Sequence, residues 1–256
     1  MDGGKVETSI INGIAAVQFS HPQSNSLPGK LLLNLAAEIE KAGKDSGVNV
    51  IVLKSEGEKT FCAGASFDEL ISIMDADSGK KFFSGFAAVI NAMRIAPKFI
   101  IARIQGKAVG GGVGLAAAAD YTMASEAAFV KLSELNVGIG PFVVGPAIER
   151  KIGVSAFTQL SINAGEWFSA QWAREKGLFS DVYNSIPELD TALDELALKL
   201  SESSPDAMAQ LKKVFWEGTE NWDKLLKERA EMSGKLVLSK FTRDFIEKFK
   251  QNKNRN

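Results

Sequence analysis

Residues 106–116, Gly-Lys-Ala-Val-Gly-Gly-Gly-Val-Gly-Leu-Ala, constrain the fold of this chain more than any other stretch. The apolar run Phe99 to Ile104 precedes them and reads as a strand. The small-residue run Leu115 to Ala119 follows and reads as a tightly packed helix. Such a junction leaves the backbone N–H groups of Gly110, Gly111 and Gly112 uncovered by side chains. The first amides of a helix have no internal partner, and the helix dipole adds partial positive charge there. The spot suits an anion or a developing oxyanion. A tight turn with close helix packing explains the same glycines equally well. The run is not a phosphate loop, because no Gly-Lys-Ser/Thr closes it. It also lacks the spacing and acidic partner of a dinucleotide fingerprint.

A second junction has the same character. Val50-Ile51-Val52-Leu53 predicts a buried strand. After the polar turn Ser55 to Lys59 come Thr60-Phe61-Cys62-Ala63-Gly64-Ala65-Ser66-Phe67-Asp68-Glu69-Leu70. They run from an extended piece through small residues into a helix start. Ser66 is the expected N-cap, with Glu69 as its capping-box partner. Two glycine-bearing turns that each offer one N–H can together make an oxyanion hole.

These segments resemble the enoyl-CoA hydratase/isomerase (crotonase) family. Its Phe-x-Ala-Gly-Ala-Asp turn is matched at Phe61 to Ala65 and its Gly-Gly-Gly turn at Gly110 to Gly112. Its Pro/Ser-Glu segment is matched at Lys131-Leu132-Ser133-Glu134-Leu135-Asn136-Val137-Gly138-Ile139-Gly140-Pro141. The likeness runs from Gly13-Ile14-Ala15-Ala16-Val17 to about Phe179, with weaker motifs beyond. It implies that the N–H groups of Ala65 and Gly111 hold a thioester oxygen. It also implies that the Ala63 carbonyl accepts from the adenine amine of coenzyme A, and that Glu134 moves a proton. Gly64, Ser66, Phe67, Gly110, Gly114 and Phe142 complete the expected substrate-binding set. Coenzyme A would enter as part of an acyl-CoA substrate, with no separate cofactor.

The departures bear on the reaction. The family's hydratases carry a second glutamate where this chain has Gly114, and Ser66 stands at the acid position of the first turn. The glycine expected after the later proline is Phe142, followed by Val143 and Val144. Hydration needs a held water, which two carboxylates provide. One carboxylate is the pattern of the family's double-bond isomerases. Gly114 and the apolar run at 142–144 therefore imply a drier site with one base, Phe142 being the candidate to fill the vacated space. Small-residue packing at Gly114 with another acid nearby is the competing account. The Leu132-Ser133-Glu134 segment is similar to methylglutaconyl-CoA hydratase-like members. Decarboxylation of an acyl-CoA, or acyl-CoA binding with little catalysis, also fits the residues. Leu135, Val137 and Ile139 beside Glu134 predict a carboxyl pKa raised by burial.

Other chemistry has little material. The chain has one histidine, His21, beside Pro22 and expected in a turn, and one cysteine, Cys62, expected to be buried. Neither a His-Cys metal cluster nor a Cys-x-x-Cys pair is available. No Gly-x-Ser-x-Gly elbow supports a hydrolase triad. A net charge of −1 gives no case for nucleic acid. No stretch approaches ~20 consecutive apolar residues, so no membrane span is expected. A single cysteine and no signal-like N-terminus lead us to expect a cytoplasmic protein. Lys248, Lys250, Lys253 and Arg255 form a basic terminus, a solubilising tail or a contact to coenzyme A phosphates.

The expected fold is α/β. Strands at Ile14–Phe19, Val50–Leu53, Phe99–Ile104 and Tyr121–Ala124 alternate with helices at Lys30–Ala42, Lys80–Met93 and Val113–Ala119. Repeated ββα units imply a mainly parallel sheet covered by helices, and the resemblance makes it a crotonase-like spiral. We place the spiral core and acyl-CoA site in residues 1–186. Residues 187–256 form a C-terminal helical oligomerisation region, with helices at Glu188–Leu200, Pro205–Glu217 and Asn221–Leu238. Trp216, Trp222, the Leu225-Leu226 pair and Leu236-Val237-Leu238 suit either core or a subunit-packing surface. By resemblance the chain is a homotrimer or a dimer of trimers.

Overall fold

The computed structural model describes residues 3–253, with side chains through residue 248. Lys248 is exposed, and the rest of the C-terminal basic cluster lies outside the described side chains. In chain order the elements are β1 (Lys5–Ile11), β2 (Ile14–Ser20), α1 (Gly29–Lys44), β3 (Val50–Ser55), β4 (Thr60–Cys62), α2 (Phe67–Leu70), α3 (Ala76–Ile95), β5 (Phe99–Ile104), β6 (Lys107–Val109) and α4 (Gly111–Ala118). Then follow β7 (Tyr121–Ser125), β8 (Phe129–Lys131), a 3₁₀ turn (Glu134–Val137), α5 (Gly145–Ile162), β9 (Phe168–Ser169), α6 (Ala170–Glu175), β10 (Asp181–Tyr183), α7 (Ile186–Ser201), α8 (Pro205–Phe215), α9 (Trp222–Leu236) and α10 (Lys240–Lys253).

A six-stranded sheet has the order β1-β2-β3-β5-β7-β10, and a four-stranded sheet the order β4-β6-β8-β9. All pairings are parallel except β1 with β2 and β8 with β9. The pairs β3/β4, β5/β6 and β7/β8 each send their first strand to the larger sheet and their second to the smaller one. Helical residues follow each pair, so each ββα unit is one turn of a spiral.

The strand β3 shows why an unbroken apolar run is required. Alternate side chains point to opposite faces. Ile51 and Leu53 face the main core with Leu35 and Ile39 of α1 and Ile90 of α3. Val50 and Val52 face a second core with Leu189, Leu193 and Ala197 of α7. Both faces are covered, as parallel strands require. The first C-terminal helix is thus a layer of the sheet.

Helix α4 is buried at every residue, which only Gly, Ala, Val and Leu permit at this density. At its far end Lys151 Nζ donates to the carbonyls of Ala119 (2.9 Å) and Asp120 (3.1 Å). These bonds satisfy acceptors at a helix terminus. The Asp120 carboxylate accepts from the Ile100 N–H (2.7 Å), Lys212 Nζ (2.7 Å) and Trp216 Nε1 (2.9 Å). Lys212 and Asp120 are 3% and 6% exposed, so the pair is buried, and desolvation pulls the lysine pKa down against the pull of Asp120. Loss of one partner from such a pair strands a charge and costs about 3–5 kcal/mol. This network fastens α8 to the sheet. Trp216 and Trp222 meet edge to face at 5.7 Å, and each is 6% exposed. They, Leu226 and Val237 belong to the interior of this chain and are not available to another subunit.

Candidate active site

The strands β4, β6 and β8 are neighbours in the smaller sheet, run parallel, and end side by side. Each hands over to a turn at that end. Those turns carry Ala65, Gly111 and Glu134.

In the first turn Gly64 has φ +86°, which disfavours any side chain. A Cβ there would lie 2.8 Å from the Val109 carbonyl oxygen and 3.4 Å from the Gly111 nitrogen. The first turn therefore rests directly on the second. Leu27 fixes its path, donating N–H to the Gly64 carbonyl (2.8 Å) and accepting from the Ser66 N–H (3.2 Å). Ser66 caps α2 by accepting from the Glu69 N–H at 3.3 Å. The expected capping box is one-sided, because the Glu69 carboxylate instead accepts from the Gly29 N–H at 2.6 Å and ties α2 to α1.

Each glycine of the second turn has its own reason. Gly110 has φ +51° and ψ −113°, and a Cβ there would lie 2.9 Å from Glu134 Oε1. A Cβ on Gly111 would collide with the ring of Phe86, and one on Gly112 would lie 2.7 Å from the Cys62 carbonyl oxygen. Among the described residues no hydrogen bond is made by the N–H of Ala65 or that of Gly111. Gly111 is the first residue of α4, where an oxygen carrying negative charge is favoured, and Ala65 lies just before the Ser66 cap of the four-residue α2.

Glu134 opens the 3₁₀ turn, which Gly138 closes at φ +87°. Helix α10 buttresses this turn, since a Cβ on Gly138 would lie 2.5 Å from Phe241 Cδ1. Glu134 is half-buried as a residue, yet its Oε2 is fully buried and has no hydrogen-bond partner among the described residues. Desolvation pushes its carboxyl pKa up to about 7, its own backbone N–H opposing weakly. Val137 and Ile139 contribute apolar surface here, whereas Leu135 is 53% exposed and takes no part.

The three turns open into one cavity of about 200 Å³. Of the residues expected from sequence, Ala63, Gly64, Ala65, Phe67, Gly110, Gly111, Glu134 and Phe142 line it. Ser66 and Gly114 do not; both lie buried behind its wall. The space a side chain on Gly114 would need is filled by Val144, whose Cβ would be 2.6 Å from a Cβ at that position. Val144 and not Phe142 is therefore the residue that occupies this space. The Phe142 ring packs instead on Gly140, 2.5 Å from a Cβ placed there. Sequence reading missed Phe83 and Phe86 as wall residues, and Ser233 of α9. The phenylalanines recur on one face of a predicted helix, a usable signal, but Ser233 had none. The Cys62 thiol is buried and pushed up to about 12, which makes it inert. His21 sits in a turn with Gln23 and Ser26, away from the cavity.

Comparison with known proteins agrees with this geometry. A sequence profile described as Enoyl-CoA hydratase/isomerase matches residues 9–253. The chain is 29% identical over 238 residues to a Bacillus subtilis strain 168 protein named "Probable enoyl-CoA hydratase", covering 92% of each chain. It is 27% identical over 255 residues to trans-2-decenoyl-(acyl-carrier-protein) isomerase of Streptococcus mutans serotype c, covering 96% of this chain and 94% of that one. The crystal structure of an enoyl-CoA hydratase from Mycobacterium avium superposes with a TM-score of 0.85 at 26% identity, covering 96% of each chain.

Proposed function

The chain belongs to the enoyl-CoA hydratase/isomerase family, and from that premise we propose that it shifts the double bond of an enoyl thioester with one carboxylate. The Glu134 carboxylate takes a proton from the carbon beside the thioester carbonyl. The electron pair moves into a dienolate whose charge collects on the thioester oxygen, held by the N–H groups of Ala65 and Gly111. The same carboxyl then returns the proton two carbons further along, and the double bond comes into conjugation. Each preorganised donor contributes about 3–4 kcal/mol to lowering the barrier, and a placed base about 10²–10⁴-fold. The Ala63 carbonyl would accept from the adenine amine of coenzyme A. The reaction needs no cofactor beyond the coenzyme A that the substrate carries, and the buried thiol of Cys62 suits a reducing, cytoplasmic setting.

One observation carries this reading. Glu134 is the one titratable side chain on the cavity wall among the described residues, and Val144 occupies the place of a second acid. The Bacillus subtilis relative's name favours hydration, and the two reactions separate in one assay. With 2-enoyl and 3-enoyl thioesters supplied separately, we expect interconversion of the two to outrun water addition by at least ~10-fold. A non-reactive acyl-CoA should bind with micromolar affinity, about −8 kcal/mol, and the free acid much more weakly. Fast hydration with no detectable double-bond shift, release of carbon dioxide, or equal affinity for the free acid would each overturn the proposal.

The same reading includes assembly into a homotrimer or a dimer of trimers. Leu211, Val214 and Phe215 of α8 are 47%, 56% and 47% exposed, an apolar strip suited to a partner copy. Light scattering should give a mass several times 27.5 kDa; a monomer at working concentration counts against it.

A further inference from the structure

We propose that Lys151, which lies outside the cavity, is a positioning residue for the oxyanion hole: it grips the carbonyl end of α4 and through that helix sets the Gly111 amide. The inference rests on the thioester reading above and adds to it a residue that touches no substrate. Helix α4 spans eight residues, about 12 Å at 1.5 Å per residue. Gly111 is its first residue, so a shift of the helix along its axis carries the amide with it. No side chain of α4 can resist such a shift with a polar bond, because Gly, Val, Leu and Ala make up all of it. Resistance falls to packing and to the helix ends.

At the far end two side chains take the free carbonyls. Thr122 Oγ1 donates to that of Ala116 (2.9 Å), and Lys151 Nζ spans those of Ala119 and Asp120. Lys151 is thereby joined to a residue fixed from three sides, since Ile100, Lys212 and Trp216 hold the Asp120 carboxylate. Its own helix meets α4 a second time, where Val144, the N-cap of α5, fills the space beside Gly114. About two turns of α5 thus hold α4 at its middle and at its end. Burial pulls the Lys151 ammonium down to about 8 against the attraction of Asp120, so a cation is kept here against its preference for water. A helix C-terminus favours a cation. An apolar side chain of the same length could pack here, but it would leave both carbonyls without this donor.

Isotope-edited infrared spectra of a bound non-reactive acyl-CoA read the hole directly, because hydrogen bonds from the Ala65 and Gly111 amides lower the thioester carbonyl stretch. Lys151→Met should bind that thioester with nearly wild-type affinity and show a smaller lowering of the stretch. Its kcat should fall by about 10–10²-fold with KM little changed, the loss expected for a misplacement of about 1 Å. Lys151→Arg keeps the cation and its donors and should restore both. Leu193→Ala, in the second core beneath α7, destabilises the fold away from α4 and should leave stretch and kcat unchanged. If Lys151→Met does not fold, Lys151→Gln, which keeps a neutral donor, should show a smaller change in the same direction. An unchanged stretch and kcat in whichever of the two folds, or an equal change in Leu193→Ala, overturns the inference. Wild-type binding with no lowering of the stretch would instead overturn the reading on which it rests.

Discussion

Replacing Glu134 by Gln lowers turnover by about 10²–10⁴-fold and leaves the affinity for a non-reactive thioester nearly unchanged. The substitution keeps shape and removes the basic oxygen, so a large loss of affinity would mean that the residue supports the wall instead of moving a proton. The base works only when ionised. Because burial holds its carboxyl at about 7, kcat/KM of the wild type should rise with pH through that value. The same group makes the variant more stable in a defined window. The folded-state pKa lies above the ordinary 4.5, so the folded protein binds more protons than the unfolded chain between those values. The cost of the buried carboxylate is absent below about pH 4.5, grows as pH rises, and is complete above about pH 7. At pH 8 the Gln variant should be more stable by on the order of 2–3 kcal/mol, and at pH 4.5 the two should coincide. Thermal melts at both pH values check this, and a gap of equal size at each would refute it.

Placing a carboxylate at Gly114 should fail unless Val144 is removed with it. A Cβ there already meets Val144, and overpacking of a tight core costs about 1–3 kcal/mol even for alanine. A glutamate adds the burial of a charge. Gly114→Glu alone should therefore lower the melting temperature sharply or prevent folding. Gly114→Glu with Val144→Gly should recover the fold and raise hydration relative to isomerisation by at least ~10-fold, because two carboxylates could then hold a water. The coupling between the two substitutions is the quantity to measure. Additive effects on stability would show that Val144 does not occupy this space.

The sequence revealed those parts of the molecule whose signal is local. Strands at Ile14, Val50, Phe99 and Tyr121 and the helices α1, α3, α4, α7, α8 and α9 appear within a few residues of the expected bounds, whereas α5 and α6 were not expected. Long runs with buried faces leave a period, and caps such as Ser66 and Ser204 leave a residue type. The smaller sheet did not show, because β4, β6 and β8 have three residues each, too few for alternation to register. Their adjacency nevertheless assembles the site, and the turns were found only through their glycines. The burial of Asp120 and Lys212 leaves no local signal, because each is the other's partner across 92 positions of sequence. The fill beside Gly114 was assigned to Phe142 when it is Val144, since loop geometry decides which of three apolar neighbours turns inward.

The two unpaired amides of the site belong to the main chain, and this divides the ways in which the protein can lose activity. No substitution deletes a backbone N–H other than one to proline, so the hole can be lost only by displacing the turns that carry it. Side chains added at Gly64, Gly110 or Gly111 do so by collision, and the resulting protein is both inactive and scarce. A change at Glu134 removes an unfavourable buried charge, and the resulting protein is inactive but abundant. In a survey of every substitution, steady-state level and catalytic rate would fall together around the glycines and separate at the carboxylate. That divergence distinguishes the residue that performs the chemistry from those that hold its place.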